Sequence, residues 1–108
     1  GNHSTDGPFV YTGFRPRWIL IKLTDNVNTF PWEIYDTARS EYNVMNVTLA
    51  PNTATSESGQ PYPGLIDATS NGFKIRSDNA TSYINYPAGT YIYAAFAEHP
   101  FALNARAR

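Results

Sequence analysis

Trp18-Ile19-Leu20-Ile21-Lys22-Leu23 is the stretch that decides the fold class. At a period of two, Trp18 and Leu20 share one face while Ile19, Ile21 and Leu23 share the other. Both faces stay apolar until Lys22, the pattern expected of a central strand covered on two sides. Trp18, Ile19 and Ile21 are aromatic or β-branched, which suits a pleated, packed surface better than a helix.

Outward from this run the chain repeats the same theme in short pieces. Upstream, Phe9-Val10-Tyr11-Thr12 makes a short strand that Gly13 and Pro16 stop. Downstream, Asp25, Asn26 and Asn28 form a polar loop, and Pro31 leads into a strand carrying Trp32, Ile34 and Tyr35, with Glu33 pointing opposite Trp32 and Ile34. Val44-Met45-Asn46-Val47-Thr48-Leu49 alternates, setting Met45, Val47 and Leu49 together in a further strand. Residues 50–64 carry three prolines and two glycines and form the largest loop, long enough to expect a role in function.

Leu65-Ile66-Asp67 and Phe73-Lys74-Ile75-Arg76 flank Ser70-Asn71-Gly72, which predicts a hairpin with Phe73 and Ile75 inward. Ser82-Tyr83-Ile84-Asn85-Tyr86 reads as a strand ended by Pro87-Ala88-Gly89. In the last strand Tyr91, Tyr93, Ala95 and Ala97 share one face, and Thr90, Ile92, Ala94 and Phe96 the other. The expectation is an all-β, antiparallel β-sandwich or jelly-roll-like single domain of about eight short strands. Residues 1–8 read as a lead-in from upstream sequence, 9–101 as the sandwich and 102–108 as a polar tail. A first residue of Gly1 rather than methionine fits a piece of a longer protein.

Composition narrows the function classes. A length of 108 residues suits one core. A net charge of −1 supplies no basic excess to neutralise a phosphate backbone, so nucleic acid is not an expected partner. Electrostatic attachment to an anionic membrane is equally unsupported, and the longest apolar run falls far short of a bilayer span, so membrane insertion is not expected. The absence of cysteine removes disulfides and thiolate metal sites. His3 and His99 lie near opposite ends without the spacing of a metal site. No metal and no cofactor is expected.

Several segments together resemble the C-terminal receptor-binding domain of bacteriophage tail-fibre proteins. They are Gly1-Asn2 with Ser4-Thr5-Asp6-Gly7, the run from Phe9-Val10-Tyr11-Thr12-Gly13-Phe14-Arg15-Pro16 into Trp18-Ile19-Leu20-Ile21-Lys22, Tyr35-Asp36-Thr37-Ala38-Arg39, Ser70-Asn71-Gly72-Phe73-Lys74-Ile75-Arg76, and Thr90-Tyr91-Ile92-Tyr93-Ala94-Ala95-Phe96-Ala97-Glu98 with Pro100-Phe101. The resemblance implies a virion protein at the distal end of a tail fibre, joined to an upstream fibre shaft. It also implies a homotrimer that contacts the host cell surface. Apolar stripes on both faces of the strands at Trp18 and Tyr91 agree with self-association.

In such a scaffold the segments between the matching blocks would carry specificity. Candidate receptor-binding residues are therefore Asn28, Phe30, Gln60, Tyr62, Asp78, Asn79, Tyr83, Asn85 and Tyr86. Aromatic rings beside amides and hydroxyls can stack on a sugar ring and hydrogen-bond its hydroxyls, so the expected partner is a host bacterial surface glycan or another outer-membrane receptor. The bland alternative for Tyr83 and Tyr86 is that they cover a sheet edge. Trp18 and Trp32 sit in apolar strand patterns and read as core. Asp36 and Arg39 are spaced for a local ion pair. Glu33, Asp67 and Glu98 are the carboxylates a glycosidase reading would need, but nothing in the sequence brings two together, and Glu33 and Glu98 are expected to face solvent or a neighbouring subunit. No catalytic residue is assigned and no enzyme is expected. A capping and trimerisation module is the alternative reading, and a polysaccharide depolymerase fragment a weaker one.

Overall fold

The computed structural model describes residues 1–25, 29–57, 64–78 and 83–99. Among them there is no α-helix, and seven strands form two antiparallel sheets. The strands are β1 (Phe9–Tyr11), β2 (Pro16–Leu23), β3 (Glu33–Asp36), β4 (Thr48–Leu49), β5 (Ile66–Thr69), β6 (Gly72–Ile75) and β7 (Tyr91–Ala97). The smaller sheet has the order β1-β6-β5 and the larger β4-β3-β2-β7. The all-β sandwich expected from the sequence is the fold observed.

The hairpin at Ser70-Asn71 joins β5 to β6, with Thr69 opposite Gly72 and Ile66 opposite Ile75. Gly72 is required there because β1 passes very close: a Cβ at this position would lie 2.1 Å from the Val10 carbonyl oxygen. In the larger sheet β2 sits between β3 and β7, as its length and apolar content require. The core lies between the sheets, where Ile19, Ile21 and Tyr35 from the larger meet Ile66, Ala68, Phe73 and Ile75 from the smaller, with Met45 and Ile84 closing it from loops.

Three expectations are corrected. Residues 44–49 do not form one strand: Met45 makes an isolated bridge to Ile66 of the smaller sheet, and only Thr48–Leu49 pairs with β3. Met45 and Thr48 are buried while Leu49 is half-buried on the outer face, so Met45 and Leu49 do not share a face. Of the strand expected at Ser82–Tyr86, the described residues 83–86 are turn and irregular chain, which leaves seven strands among the described residues.

Among the described residues no third layer covers Trp18 and Leu20, which alternate with Ile19 and Ile21 on the outer face of β2, so both are half-buried and lie outside the core. Trp18 packs edge-on against Phe96, its cross-strand partner, which is itself 62% exposed. Trp32 is likewise half-buried.

Residues 1–8 form no strand but are bonded along the body. Gly7 N–H donates to the Ile75 carbonyl at 3.2 Å, the Lys74 ammonium reaches the Asp6 carboxylate at 2.5 Å, and His3 N–H donates to the Asn85 carbonyl at 3.3 Å.

Candidate functional site

One end of the sandwich gathers aromatic rings from three separate parts of the chain. Phe30, which precedes β3, lies 5.1 Å from Tyr83 at an interplanar angle of 41° and 6.0 Å from Tyr86 at 57°. His3 stands edge-on to Tyr86, with centroids 5.9 Å apart and planes at 88°. All four rings are half-buried, so each keeps part of a face or edge open. Rings in this arrangement gain from edge and face complementarity and still offer apolar surface to a ligand.

The loops that carry these rings are fixed by specific bonds. The Lys22 ammonium donates to the Phe30 carbonyl at 2.6 Å, holding that residue against the outer face of β2. Beyond β2, Thr24 N–H donates to the Thr90 carbonyl at 2.9 Å, and the Asp25 carboxylate accepts the Thr90 N–H at 2.9 Å. Those Thr90 bonds hold the Asp25 carboxyl below its ordinary range. On the other side Tyr86 N–H donates to the Tyr91 hydroxyl at 2.7 Å, and Gly89 N–H to the Tyr86 carbonyl at 3.1 Å. Burial pushes the Tyr91 hydroxyl up to about 12, so it stays protonated and keeps a proton to donate.

The structure brings Phe30, Tyr83 and Tyr86 together as a group. Asp78 is exposed. Asn28, Gln60, Tyr62 and Asn79 lie outside the described residues.

Asn85 is placed differently from the three rings. It is fully buried, its Oδ1 accepting the Asn2 N–H at 2.9 Å and its Nδ2 facing the carbonyl oxygens of Ser77 at 2.5 Å and Ser4 at 3.2 Å. Its amide is thus bonded within the domain and ties the first residues of the chain to the segment carrying Tyr83 and Tyr86. His3 joins the cluster although no local pattern marks it, because a polar lead-in does not reveal which side of the body it will lie along.

The carboxylates are dispersed among structural roles. Asp67 pairs with Arg76 at 2.6 Å and Glu98 with Arg15 at 3.1 Å. The local pair expected between Asp36 and Arg39 is replaced by two others: Asp36 meets Arg17 at 3.2 Å and caps Ala38 N–H at 2.7 Å, while Arg39 meets Glu57 at 2.6 Å. Glu33 does not face solvent. It is fully buried on the inner face of β3, beside the buried Tyr35 and Thr48. Among the described residues no hydrogen-bond partner reaches either Glu33 oxygen, the Tyr35 hydroxyl or the Thr48 hydroxyl.

Burial pushes the Glu33 carboxyl up to about 7, and the neighbouring Thr48 hydroxyl offsets part of that. Tyr35 is pushed well above its ordinary range, first by burial and then by Glu33. The sequence pattern misled here because each face of β3 carries one carboxylate and one apolar residue, Glu33 with Tyr35 and Asp36 with Ile34, so alternation alone does not say which face turns inward.

Between the sheets, beside β7, lies a cleft of about 160 Å³ lined by Val10, Ile21, Phe73, Ile84, Tyr91 and Tyr93 among others. Its walls are mainly apolar and it is smaller than an ordinary ligand pocket of roughly 300–1,000 Å³, so it has room for one apolar side-chain-sized group. Among the described residues no cluster of three or more His, Asp or Glu side chains is placed to hold a metal ion.

The fold and the ring cluster define an all-β sandwich domain with an aromatic end. The chain belongs to the family described as a domain of unknown function, DUF7483, whose model matches residues 1–100. No curated protein and no solved structure matches it.

Proposed function

We propose that this domain is a binding module at the distal end of a bacteriophage tail fibre, recognising a receptor on the surface of the host bacterium. The observation that carries the reading is the meeting of Phe30, Tyr83 and Tyr86 at one end of the sandwich, on loops rather than strands. A framework of paired strands beneath such loops is the usual division between stability and recognition. Half-open rings suit the apolar face of a sugar, and the exposed backbone and polar groups around them suit its hydroxyls, so a surface glycan is the receptor class favoured. The resemblance of the strand segments to tail-fibre tips supplies the setting in the virion.

The module binds and turns nothing over. Asp67 and Glu98 are engaged with arginines, and Glu33 lies under the core. Adsorption competition tests the proposal: the isolated domain should block attachment of the parent phage to its host in a saturable way. Failure to compete by a folded domain would sink it and favour the second reading, an assembly module of the fibre. The apolar outer face bearing Phe96 and Ile92 speaks for that second reading.

A further inference from the structure

The larger sheet ends in an edge unlike the others. β4 spans two residues, β1 three and β5 four, with Asp67 in the last, whereas β7 spans seven residues without a charge, a proline or a bulge of its own. Proteins ordinarily blunt exposed edges with short strands, charges, prolines or bulges. β7 has none of these devices, and Ile92, Tyr93 and Phe96 on it are 51%, 46% and 62% exposed.

The backbone of β7 has a defined polarity across its width. Thr24 N–H donates to the Thr90 carbonyl and Glu98 N–H to the Arg15 carbonyl, both at 2.9 Å. Even-numbered residues therefore bond towards β2, and the alternation of an antiparallel ladder turns the N–H and C=O groups of Tyr91, Tyr93, Ala95 and Ala97 to the open side. Among the described residues none of those groups has a hydrogen-bond partner.

We propose that β7 pairs antiparallel with β7 of a second copy, on a two-fold axis through Ala94, joining the two larger sheets edge to edge. Two features fit a second copy as the partner. The first is hydrogen-bond parity: a two-fold at Ala94 sets Tyr93 opposite Ala95 and Tyr91 opposite Ala97 of the second copy, and these are the residues whose backbone groups point outward. The second is side-chain size. Each tyrosine on the inner face meets an alanine across the junction, Ile92 meets Phe96 on the outer face, and Ala94 meets Ala94 on the axis, so bulk faces space or an apolar partner throughout.

The exposed parts of Ile92, Tyr93 and Phe96 amount to roughly 300 Å² per copy, below the ~800 Å² per partner of a standard stable interface. The dimer is accordingly weak and exchanges in the micromolar range. This symmetry differs from the three-fold association that the resemblance implies, and it does not depend on receptor binding.

Cysteine cross-linking tests the register, because the natural chain has no cysteine. Ala94→Cys places two thiols on the axis in a non-hydrogen-bonded pair, at a Cα separation of about 4.5 Å that a disulfide spans. Mild oxidation of the folded variant should give a covalent dimer, while Thr90→Cys, far from the axis, should give none. Sedimentation of the parent should show reversible dimerisation to twice its 12.0 kDa. Ala95→Pro removes an outward N–H and no bond to β2, so it should weaken the dimer at least about tenfold with the sheet signal in circular dichroism retained. A trimer, a monomer throughout the micromolar range, or equal cross-linking from Thr90→Cys would each overturn the proposal. A monomer would mean that residues 100–108 or another protein covers the edge, and a trimer would return the assembly to three-fold symmetry.

Discussion

The Asn85 carboxamide grips Asn2 on both sides, accepting its backbone N–H at Oδ1 over 2.9 Å and donating from Nδ2 to its side-chain oxygen over 3.2 Å. One buried side chain thereby ties the first residues of the chain to the loop that holds Tyr83 and Tyr86. Asn85→Ala strands several of these groups and should cost about 2–3 kcal/mol, since each unmade buried bond carries a desolvation penalty. Urea unfolding should show a lower midpoint with an unchanged slope.

Glu33 gives the domain a pH dependence of definite sign. Its folded carboxyl titrates at about 7 against an ordinary 4.5, because burial penalises the charge. The native state therefore holds this proton more tightly than the unfolded chain. The stabilisation is complete below pH 4.5 and is lost as pH rises through about 7. The gap corresponds to about 3 kcal/mol. Asp6, held below its ordinary range by Lys74, and Asp25 act with the opposite sign, and only below their ordinary 3.8. Denaturation midpoints of the parent should fall between about pH 5 and about pH 8, and Glu33→Gln should flatten that fall.

Gly64 is buried against Ile84 and Tyr35. A Cβ there would lie 2.2 Å from Ile84 Cγ1 and 2.3 Å from the Tyr35 hydroxyl, inside any real contact distance. Tyr35 and Ile84 are both buried, so neither can swing away without disturbing the core. Gly64→Ala should therefore destabilise by roughly 1–3 kcal/mol through overpacking, seen as a lower melting temperature.

The uncovered outer face predicts a split between large residues that look alike in sequence. Phe73 is 1% exposed and packs in the centre of the core, so Phe73→Ala should cost about 3–5 kcal/mol. Trp18 is half-buried on the outer face, and Trp18→Ala should cost less than half of that. Equal losses would show that the outer face is covered in solution.

This split is also where the sequence was least legible. The period-two pattern located β2, β6 and β7 and the hairpin at Ser70-Asn71, because alternation and turn chemistry are local properties. It did not say which apolar face would be inner, since Trp18 and Leu20 look as apolar as Ile19 and Ile21. The same ambiguity hid Glu33 in the core. Phe30, Tyr83 and Tyr86 were selected by residue type, but their meeting depends on Lys22 and Tyr91 anchoring two loops, a tertiary relation with no short-range signature. Asn85 shared that composition yet turned inward, because its amide completes bonds to residues far away in the chain.

Receptor binding should divide along the same lines. Tyr83→Ala and Phe30→Ala remove half-buried rings from the aromatic end while leaving the inner face intact, so they should lower stability by no more than about 1–2 kcal/mol. If those rings stack on a receptor, losing one should weaken attachment to host cells about tenfold or more, since a stacked aromatic contributes on the order of 1 kcal/mol beyond its area. Asn85→Ala should weaken attachment only as far as it unfolds or displaces the loop, so its loss should diminish on cooling or in stabilising osmolyte. Host-cell binding measured alongside melting temperature separates the two kinds of variant. If Tyr83→Ala and Phe30→Ala bind as the parent does, the rings serve only to close this end of the sandwich, and the receptor site lies elsewhere on the domain.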